Sequence, residues 1–157
     1  MIDLETLKRF LVEAHANTYA SNSSRPVMPS RPGSIDFQHY KSGWLYLDSY
    51  YGGRRFIGEE IVRIVNQTVW GMNYYGGVTK EGMDHKSVYS FLKKALRVGV
   101  EDGTPFRGPN YWTTEVFTYE SHMDGDLSQF SGEEFIYYKN EIVYYARFHG
   151  GLIDELS

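Results

Sequence analysis

Two segments of the chain carry almost the same text, and this repeat constrains the fold more than any other feature of the sequence. "FIGEEIVRIVNQTVWGMNYYGG" occupies residues 56–77 and "FSGEEFIYYKNEIVYYARFHGG" occupies residues 130–151. Without a gap, the two segments are identical at eight of 22 positions. Two arbitrary windows of one chain are not expected to agree so often. We therefore expect the two segments to adopt the same local structure.

Each repeated segment follows an amphipathic helix. In residues 3–16 the apolar side chains recur at helical spacing, and Asp3 can cap the amino end. Residues 86–98 show the same spacing after Asp84, which is a second candidate cap. The texts "FLVEA" and "FLKKA" begin the two apolar faces alike. Each helix is therefore predicted to bury one stripe of side chains.

From Phe37, and again after the second helix, the apolar period changes to two, and glycine or asparagine interrupts the runs, which is typical of antiparallel strands. We therefore predict an α+β fold: a tandem duplication of a helix-plus-three-strand unit, with one antiparallel sheet and two helices packed on one face. At 157 residues the chain has the usual size of one domain. Residues 1–157 are thus predicted as a single domain with an internal repeat at about 3–77 and 86–151. A pseudo-twofold axis between the repeats would leave a groove that suits a ligand.

Charge and cysteine content limit the partners. The formal net charge is -4, which argues against direct nucleic-acid binding, because that affinity comes largely from neutralised phosphates. The chain has no cysteine, which is typical of a reducing compartment. It has neither the layout of an export signal nor an apolar stretch of about 18 residues, so we expect a cytoplasmic protein without membrane contact. No phosphate loop or dinucleotide glycine pattern is present, and we predict no cofactor.

Residues 17–34, "NTYASNSSRPVMPSRPGS", are predicted to form a loop, because neither a helix nor a central strand persists through so much proline and serine. The segment is longer than a plain connection needs. Three interpretations remain open at this point: a lid, a partner contact and a disordered segment.

The repeated text "GEE" places two glutamates side by side in each segment, Glu59 with Glu60 and Glu133 with Glu134. Successive side chains of a strand point to opposite faces of the sheet. One glutamate of each pair should therefore face the helices or a cleft.

The predicted hairpin register suggests which glutamate is free. A two-residue turn at residues 66–67 places Glu60 opposite Asn73, and the second hairpin places Glu134 opposite Arg147. Glu134 would then form a salt bridge, whereas Glu60 would have no charged partner. This makes Glu60 the better candidate for a functional acid. The alternative is that all four glutamates have structural roles only.

Aromatic residues make up 17% of the chain, and several lie near Glu60 in the predicted sheet. A carboxylate among aromatic faces suits an organic cation. Alternation puts Trp70 and Tyr74 on one face and Tyr75 on the other, so some aromatic surface must face away from the helices, as a pocket lining or a dimer patch. The residues predicted to bind a small-molecule ligand, with an organic cation favoured, are Glu60, Glu134, Trp44, Tyr46, Trp70, Asn73, Tyr75 and His149.

The histidines do not have the spacing of a metal site. His122, Asp124 and Asp126 could ligate a metal only if their segment curled, and such a string is more typical of a turn. We therefore predict no metal site. His149 could act as a general base if Glu133 or Asp48 came within reach, but no catalytic residue is assigned.

The texts "WLYLDSYYGGRRFIGEE", "VWGMNYYG", "FRGP" and "YYARFHGG" resemble a bacterial domain family of unknown function. Its members occur alone or after a Xre-type helix-turn-helix domain in transcriptional regulators. The resemblance spans nearly the whole chain and assigns no functional residue. It implies effector sensing or dimerisation, the usual roles of a regulator's second domain.

Three function classes therefore remain. The preferred one is a ligand-binding or sensor-like domain with an aromatic, acidic cleft, linked to transcriptional regulation. The second is a small enzyme, a hydrolase or isomerase, that uses Glu, Tyr or His in acid–base chemistry. The third is a dimerisation module, with the outward aromatic residues at a homodimer interface.

Overall fold

The structure is a computed structural model, and it describes residues 2–154. Its two helices are α1 (Leu4–Asn17) and α2 (His85–Glu101), close to the predicted ranges. Asp3 caps α1 by accepting a hydrogen bond from the Thr6 backbone N–H, and Asp84 caps α2 by accepting from the Lys86 and Ser87 backbone N–H groups. Both predicted caps are confirmed.

The remaining elements are eight strands in one antiparallel sheet, which confirms that part of the prediction. In chain order they are β1 (Ile35–Lys41), β2 (Trp44–Gly52), β3 (Arg55–Ile64), β4 (Gln67–Val78), β5 (Tyr111–Thr113), β6 (Phe117–Asp126), β7 (Gln129–Tyr138) and β8 (Glu141–Leu152). Their order across the sheet is β1-β2-β3-β4-β8-β7-β6-β5, so β4 and β8 pair at its centre. Helix α2 lies between β4 and β5 in the chain.

The duplicated helix-plus-three-strand unit is wrong as a description of this fold. Each helix is followed by four strands, so strands dominate the chain and helices are few. In the second half, the segment "YWTTEVFTYESH", residues 111–122, is divided into β5 and β6 by a turn. The Thr114 hydroxyl accepts a hydrogen bond from the Phe117 N–H, and the Thr114 N–H donates to the Phe117 carbonyl. This local bonding bends the chain where alternation alone predicts a continuous strand.

The apolar core lies on the face of the sheet that carries the helices. Helix α1 packs on one cluster, which includes Tyr46, Trp70, Met72 and Phe148. Helix α2 packs on a second cluster, which includes Tyr119, Ile136, Val143 and Tyr144. Tyr144 and Phe148 are four residues apart on β8 and therefore point to the same face. Phe56 on β3 packs against both clusters, at the boundary between the helices.

The two long hairpins have a register that differs from the predicted one by one residue. The β3–β4 turn occupies residues 65–66, one residue before the predicted turn. A bulge beside Val62 then reduces the difference between the observed and the predicted register. Glu60 therefore lies opposite Met72, while Asn73 lies opposite Glu59. The positive φ of Val65, 58°, marks the shifted turn.

The second hairpin shows the same correction. Its turn lies at residues 139–140, and a bulge follows Ile136. Glu134 lies opposite Ala146, and Arg147 lies opposite Glu133. The predicted Glu134–Arg147 salt bridge is therefore wrong. The predicted register assumed continuous alternation from a turn one residue later, whereas the bulge leaves the adjacent residues Val143 and Tyr144 both buried.

Within residues 2–154, neither helix has the length and apolar character that crossing a membrane requires.

Candidate functional site

One glutamate of each "GEE" pair is buried, as predicted. Glu60 and Glu134 are fully buried on the face that the helices cover. Glu59 and Glu133 point to the other face, where their side chains pair with Arg31 and Arg147 respectively. The two buried carboxyl groups differ in how completely they are satisfied, and this difference defines the site.

The Glu134 carboxylate has a full set of donors. Arg107 donates from Nη2 and Nε to Oε1, at 2.7 and 3.1 Å. Tyr144 donates to the same oxygen at 2.7 Å, and Tyr119 donates to Oε2 at 2.6 Å. Burial by itself raises the pKa of Glu134, but Arg107 and the hydrogen bonds outweigh it, so that the pKa lies below its ordinary value. Glu134 is therefore a buried anion with a structural role.

Arg107 reaches this carboxylate from the connection between α2 and β5. The next residue, Gly108, lies so close to Tyr119 that an added Cβ would be 2.5 Å from the ring carbon Cζ. The Gly108 N–H donates to the Tyr119 hydroxyl at 3.1 Å. A residue without a side chain is needed here, because it lets the connection descend onto the tyrosine and place Arg107 under α2.

Glu60 is less well satisfied. Its Oε2 lies 2.9 Å from Nε2 of His15, and the two side chains are fully buried. Oε1 of Glu60, Nδ1 of His15 and the Tyr46 hydroxyl are buried without a hydrogen-bond partner in the described chain. Unpaired buried polar atoms are costly, and they concentrate where a protein has a function beyond stability.

Asp48 lies directly opposite Glu60, on β2, and is only 4% exposed. The Tyr74 hydroxyl donates a short hydrogen bond to its Oδ1. Burial, and secondly the neighbouring Glu60, raise the pKa of Asp48 to about 8. The Tyr74 ring fits over Gly58, where an added Cβ would lie 2.4 Å from the hydroxyl oxygen. The site thus holds a carboxyl group that is close to changing its charge at neutral pH.

Asp48 and Arg107 both line a cavity of about 430 Å³ between the strands, the 17–34 loop and α2. This volume lies in the range of small-molecule sites. Its walls are largely aromatic, formed by Tyr19, Phe37, Tyr50, Phe56, Tyr74 and Tyr89. Leu92 and Leu96 add an apolar wall from α2, and Lys93 also borders the opening. We call this cavity the Asp48 pocket.

The start of the 17–34 loop has a defined place beside this pocket. The Tyr19 ring lies 4.8 Å from the His15 ring, between centroids, and Ala20 is buried. Arg97 of α2 donates to the Ala20 carbonyl at 3.0 Å and to the Asn22 side chain at 2.7 Å. The loop is therefore tied to α2 where it borders the pocket.

A larger cavity, of about 890 Å³, lies at the β3–β4 turn beside the end of β8. Its lining consists mainly of aliphatic side chains with Asn66 and Gln67, and its one ionisable residue, Asp154, is exposed. No buried ionisable side chain of the described residues lines it. We therefore assign the candidate site to the smaller pocket, where buried charge and aromatic walls coincide.

Five of the residues predicted to bind a ligand lie on the helix face without lining this pocket. Glu60 lies opposite Asp48, and Glu134 accepts hydrogen bonds from Arg107, so both glutamates contact the polar residues of the pocket rather than the pocket itself. Tyr46 and Trp70 are fully buried, and Trp70 donates from Nε1 to the Leu127 carbonyl at 3.1 Å. Trp44 packs on Phe10 of α1, with the ring centroids 5.2 Å apart.

The other three predicted residues, Asn73, Tyr75 and His149, lie on the opposite face of the sheet. Asn73 pairs with His149 across β4 and β8, and Tyr75 is 55% exposed. The sheet separates His149 from Asp48, one of its two suggested partners. The structure therefore does not bring the eight predicted residues together.

Sequence reasoning missed Asp48, Arg107, His15 and Tyr19 as parts of one site. A signal for Asp48 was present, because it lies two residues after Tyr46 and therefore shares its buried face. Nothing in the sequence indicated that Arg107 and His15, which are 92 positions apart, would approach the same pair of strands.

Within the described residues, no group of three or more His, Asp or Glu side chains is arranged to hold a metal ion. Asp126, one of the residues considered for metal binding, accepts a hydrogen bond from the Ser128 N–H at 2.8 Å and so stabilises the β6–β7 turn.

Comparison with known families gives one match. The family model of a domain of unknown function, DUF5680, matches residues 48–153, which is more than half of the chain. The matched range includes Asp48, Glu60, Arg107 and Glu134 but begins after α1 and the 17–34 loop. No curated protein matches the chain. No solved structure matches it either.

Proposed function

Since the chain belongs to the DUF5680 family, whose function is unknown, we propose a function from the pocket itself: a small-molecule-binding domain that takes an organic cation at Asp48. The observation that carries this proposal is a 4%-exposed carboxyl group that lines an aromatic cavity of about 430 Å³. The acid differs from the predicted Glu60, which lies directly opposite it.

The charges around the pocket favour a cation. Asp48, Glu60 and Glu134 are three buried carboxyl groups, and Arg107 is committed to one of them, Glu134. A ligand ammonium group beside Asp48 would supply positive charge where two carboxyl groups adjoin. The faces of tyrosine and phenylalanine attract the same charge. The aromatic walls also bury the apolar part of such a ligand.

Thermal shift with matched probes tests this proposal. We expect phenethylamine to raise the unfolding temperature of the wild-type protein, and its uncharged analogue 2-phenylethanol to raise it much less, because only the amine can pair with Asp48. The Asp48→Asn variant should lose most of the response to the amine. Glu59→Gln removes a carboxylate from the opposite face and should keep the full response.

The comparison between variants decides the outcome. Equal stabilisation by amine and alcohol would mean that the pocket recognises only an apolar group. An unchanged amine response in Asp48→Asn would remove Asp48 from the binding site. A panel of other primary, secondary and quaternary ammonium compounds extends the test to differently shaped cations.

A sensor role is a more specific form of this proposal, in which ligand binding regulates a partner protein or a second copy of the chain. Bacterial origin, a cytoplasmic location and an association with Xre-type transcriptional regulators remain predictions from the resemblance and composition. If the domain is a sensor, ligand binding must change something that a partner or a second copy recognises. Sedimentation of the protein with and without phenethylamine tests whether it forms a homodimer and whether the ligand changes that state.

A second candidate, an acid–base enzyme, is favoured by the adjacent carboxyl groups of Asp48 and Glu60. Neighbouring acids with different surroundings divide the roles of acid and base in many enzymes. Deuterium incorporation into carbon-bound positions of a bound ligand, followed by NMR in heavy water, tests proton transfer. Incorporation that depends on Asp48 would favour an isomerase, and binding without incorporation would favour a receptor.

A further inference from the structure

Arg107 has a hydrogen-bonding nitrogen that the protein leaves free. Its Nε and Nη2 both donate to Oε1 of Glu134, whereas Nη1 has no hydrogen-bond partner within residues 2–154. The side chain is more than nine-tenths buried and lines the Asp48 pocket. Nη1 is also not one of the fully buried unpaired atoms, so it keeps some accessible surface in a residue that lines the cavity.

Asp48 has the complementary feature. Its Oδ1 accepts from Tyr74, and its Oδ2 has no partner among the described residues and is likewise not sealed in the core. The Tyr74 ring lies between the two groups: the guanidinium carbon of Arg107 is 5.4 Å from the ring centroid, and the hydroxyl group contacts Asp48. One free donor group and one free acceptor thus adjoin the same tyrosine.

We propose that the ligand of this pocket is an amino acid or a similar zwitterion, with its ammonium group on Oδ2 of Asp48 and its carboxylate on Nη1 of Arg107. This inference rests on the proposed function, because it adds a second group to the same cation. The apolar part of the ligand then lies against Phe56, Tyr89 and Leu92, which line the cavity.

A carboxylate on the ligand can pair with the free N–H groups of Arg107, which a simple amine leaves without a partner. When a ligand displaces water from the pocket, the two N–H groups of Nη1 lose their solvent partners, and an unpaired buried donor is costly. A ligand carboxylate accepts these hydrogen bonds, and guanidinium groups suit carboxylates in geometry and charge. It also places its negative charge away from Asp48. The amino acid should therefore bind at least tenfold more tightly than the matching amine.

Lys93 offers an alternative partner for a ligand carboxylate. Lys93 lines the pocket, is partly exposed and is not part of a salt bridge in the described structure. A flexible ammonium group in contact with solvent gains less from an ion pair than a buried guanidinium group does. The two residues make separable contributions, and variants distinguish them.

Calorimetry on wild-type protein with three matched pairs is the primary test. The pairs are phenethylamine and phenylalanine, tyramine and tyrosine, and isopentylamine and leucine. In at least one pair the amino acid should bind tenfold or more tightly. N-Acetylphenylalanine, which keeps the carboxylate but has no ammonium group, should not bind measurably, and phenylalaninamide should lose most of the advantage.

Variants then locate the carboxylate contact. Arg107→Lys keeps a cation for Glu134 but removes Nη1, so the amino acid should lose more affinity than the amine, and the preference for the amino acid should fall to less than threefold. Arg147→Lys, the same exchange on the opposite face, should change neither affinity. Lys93→Gln should keep the preference, and its loss there, with retention in Arg107→Lys, would overturn the assignment to Arg107.

The outcomes separate the two proposals. If an amine binds at Asp48 but no amino acid binds more tightly than its amine, the zwitterion is wrong and the cation site stands. If neither class binds, the proposed function fails with it. The wild-type ligand series decides this even if Arg107→Lys does not fold, which circular dichroism shows.

Discussion

Asp48 and Glu60 lie directly opposite each other on β2 and β3, and both carboxyl groups face the helices. Directly opposed like charges on a sheet destabilise it. The two carboxyl groups have different partners in this structure: Glu60 contacts His15, and Asp48 accepts a hydrogen bond from Tyr74. Two buried acids on adjacent strands are a poor arrangement for stability alone, and one of them, Asp48, lines the aromatic pocket.

The Glu60→Gln substitution should lower the pKa of Asp48. Burial is the largest cause of the raised pKa of about 8 and the charge of Glu60 is the second, so removing that charge removes the second-largest cause. NMR titration of the Asp48 carboxyl carbon measures the change. Glu59→Gln, which removes a neighbouring charge on the other face, should leave the titration unchanged. An identical titration in Glu60→Gln would show that the two carboxyl groups do not interact.

Asp48 should make the protein less stable as the pH rises. Its pKa is raised from 3.8 to about 8 in the folded state, so the folded protein holds a proton that the unfolded chain releases. The contribution of this proton to the free energy of unfolding is complete below about pH 4. It is lost as the pH rises to about 8, at up to about 1.4 kcal/mol per pH unit. Relative to wild type, Asp48→Asn should therefore gain stability across this window. Urea unfolding at pH 5, 6.5 and 8 measures the difference, and a constant offset would contradict the assignment.

Removal of the Arg107 side chain should destabilise the fold strongly. Arg107→Met leaves the Glu134 carboxylate buried without its guanidinium partner, which costs about 3–5 kcal/mol in comparable pairs. Adding Glu134→Gln should recover part of this loss, because no buried charge then remains unpaired. Urea unfolding measures both variants.

The solvent-exposed Glu133–Arg147 pair is the matched control for that experiment. Arg147→Met should lower stability much less than Arg107→Met, since water already solvates both charges. Similar losses in the two variants would mean that the Arg107 cluster contributes no more than a surface contact.

Binding of an amine should release a proton. Near pH 7 the free Asp48 is mostly protonated, because its pKa is about 8, and an ammonium ligand pairs only with the ionised form. The affinity should therefore rise about tenfold per pH unit up to about pH 8 and then level off. Calorimetry in buffers with different ionisation enthalpies measures close to one proton released per phenethylamine at pH 7. A release near zero would show that the ligand does not pair with Asp48.

Much of the architecture follows from local sequence signals. The helical spacing after Asp3 and Asp84 determined both helices and their caps, because capping and an apolar stripe act within a few residues. Strand alternation likewise determined that the two glutamates of each "GEE" pair point to opposite faces of the sheet, because successive side chains of a strand alternate in direction. The structure shows that Glu60 and Glu134 are the two that face the helices.

The partners of those inward residues were decided by the tertiary structure. A shifted turn and a bulge change the register of each hairpin by one residue from the predicted one. Glu60 therefore lies opposite Met72, and Glu134 lies opposite Ala146. Two long-range approaches completed the site: α1 brought His15 to Glu60, and the connection after α2 brought Arg107 to Glu134. Alternation fixes the face that a side chain occupies, whereas contacts between distant segments depend on how helices and loops pack across the whole sheet. The Asp48 pocket exists only because of that packing.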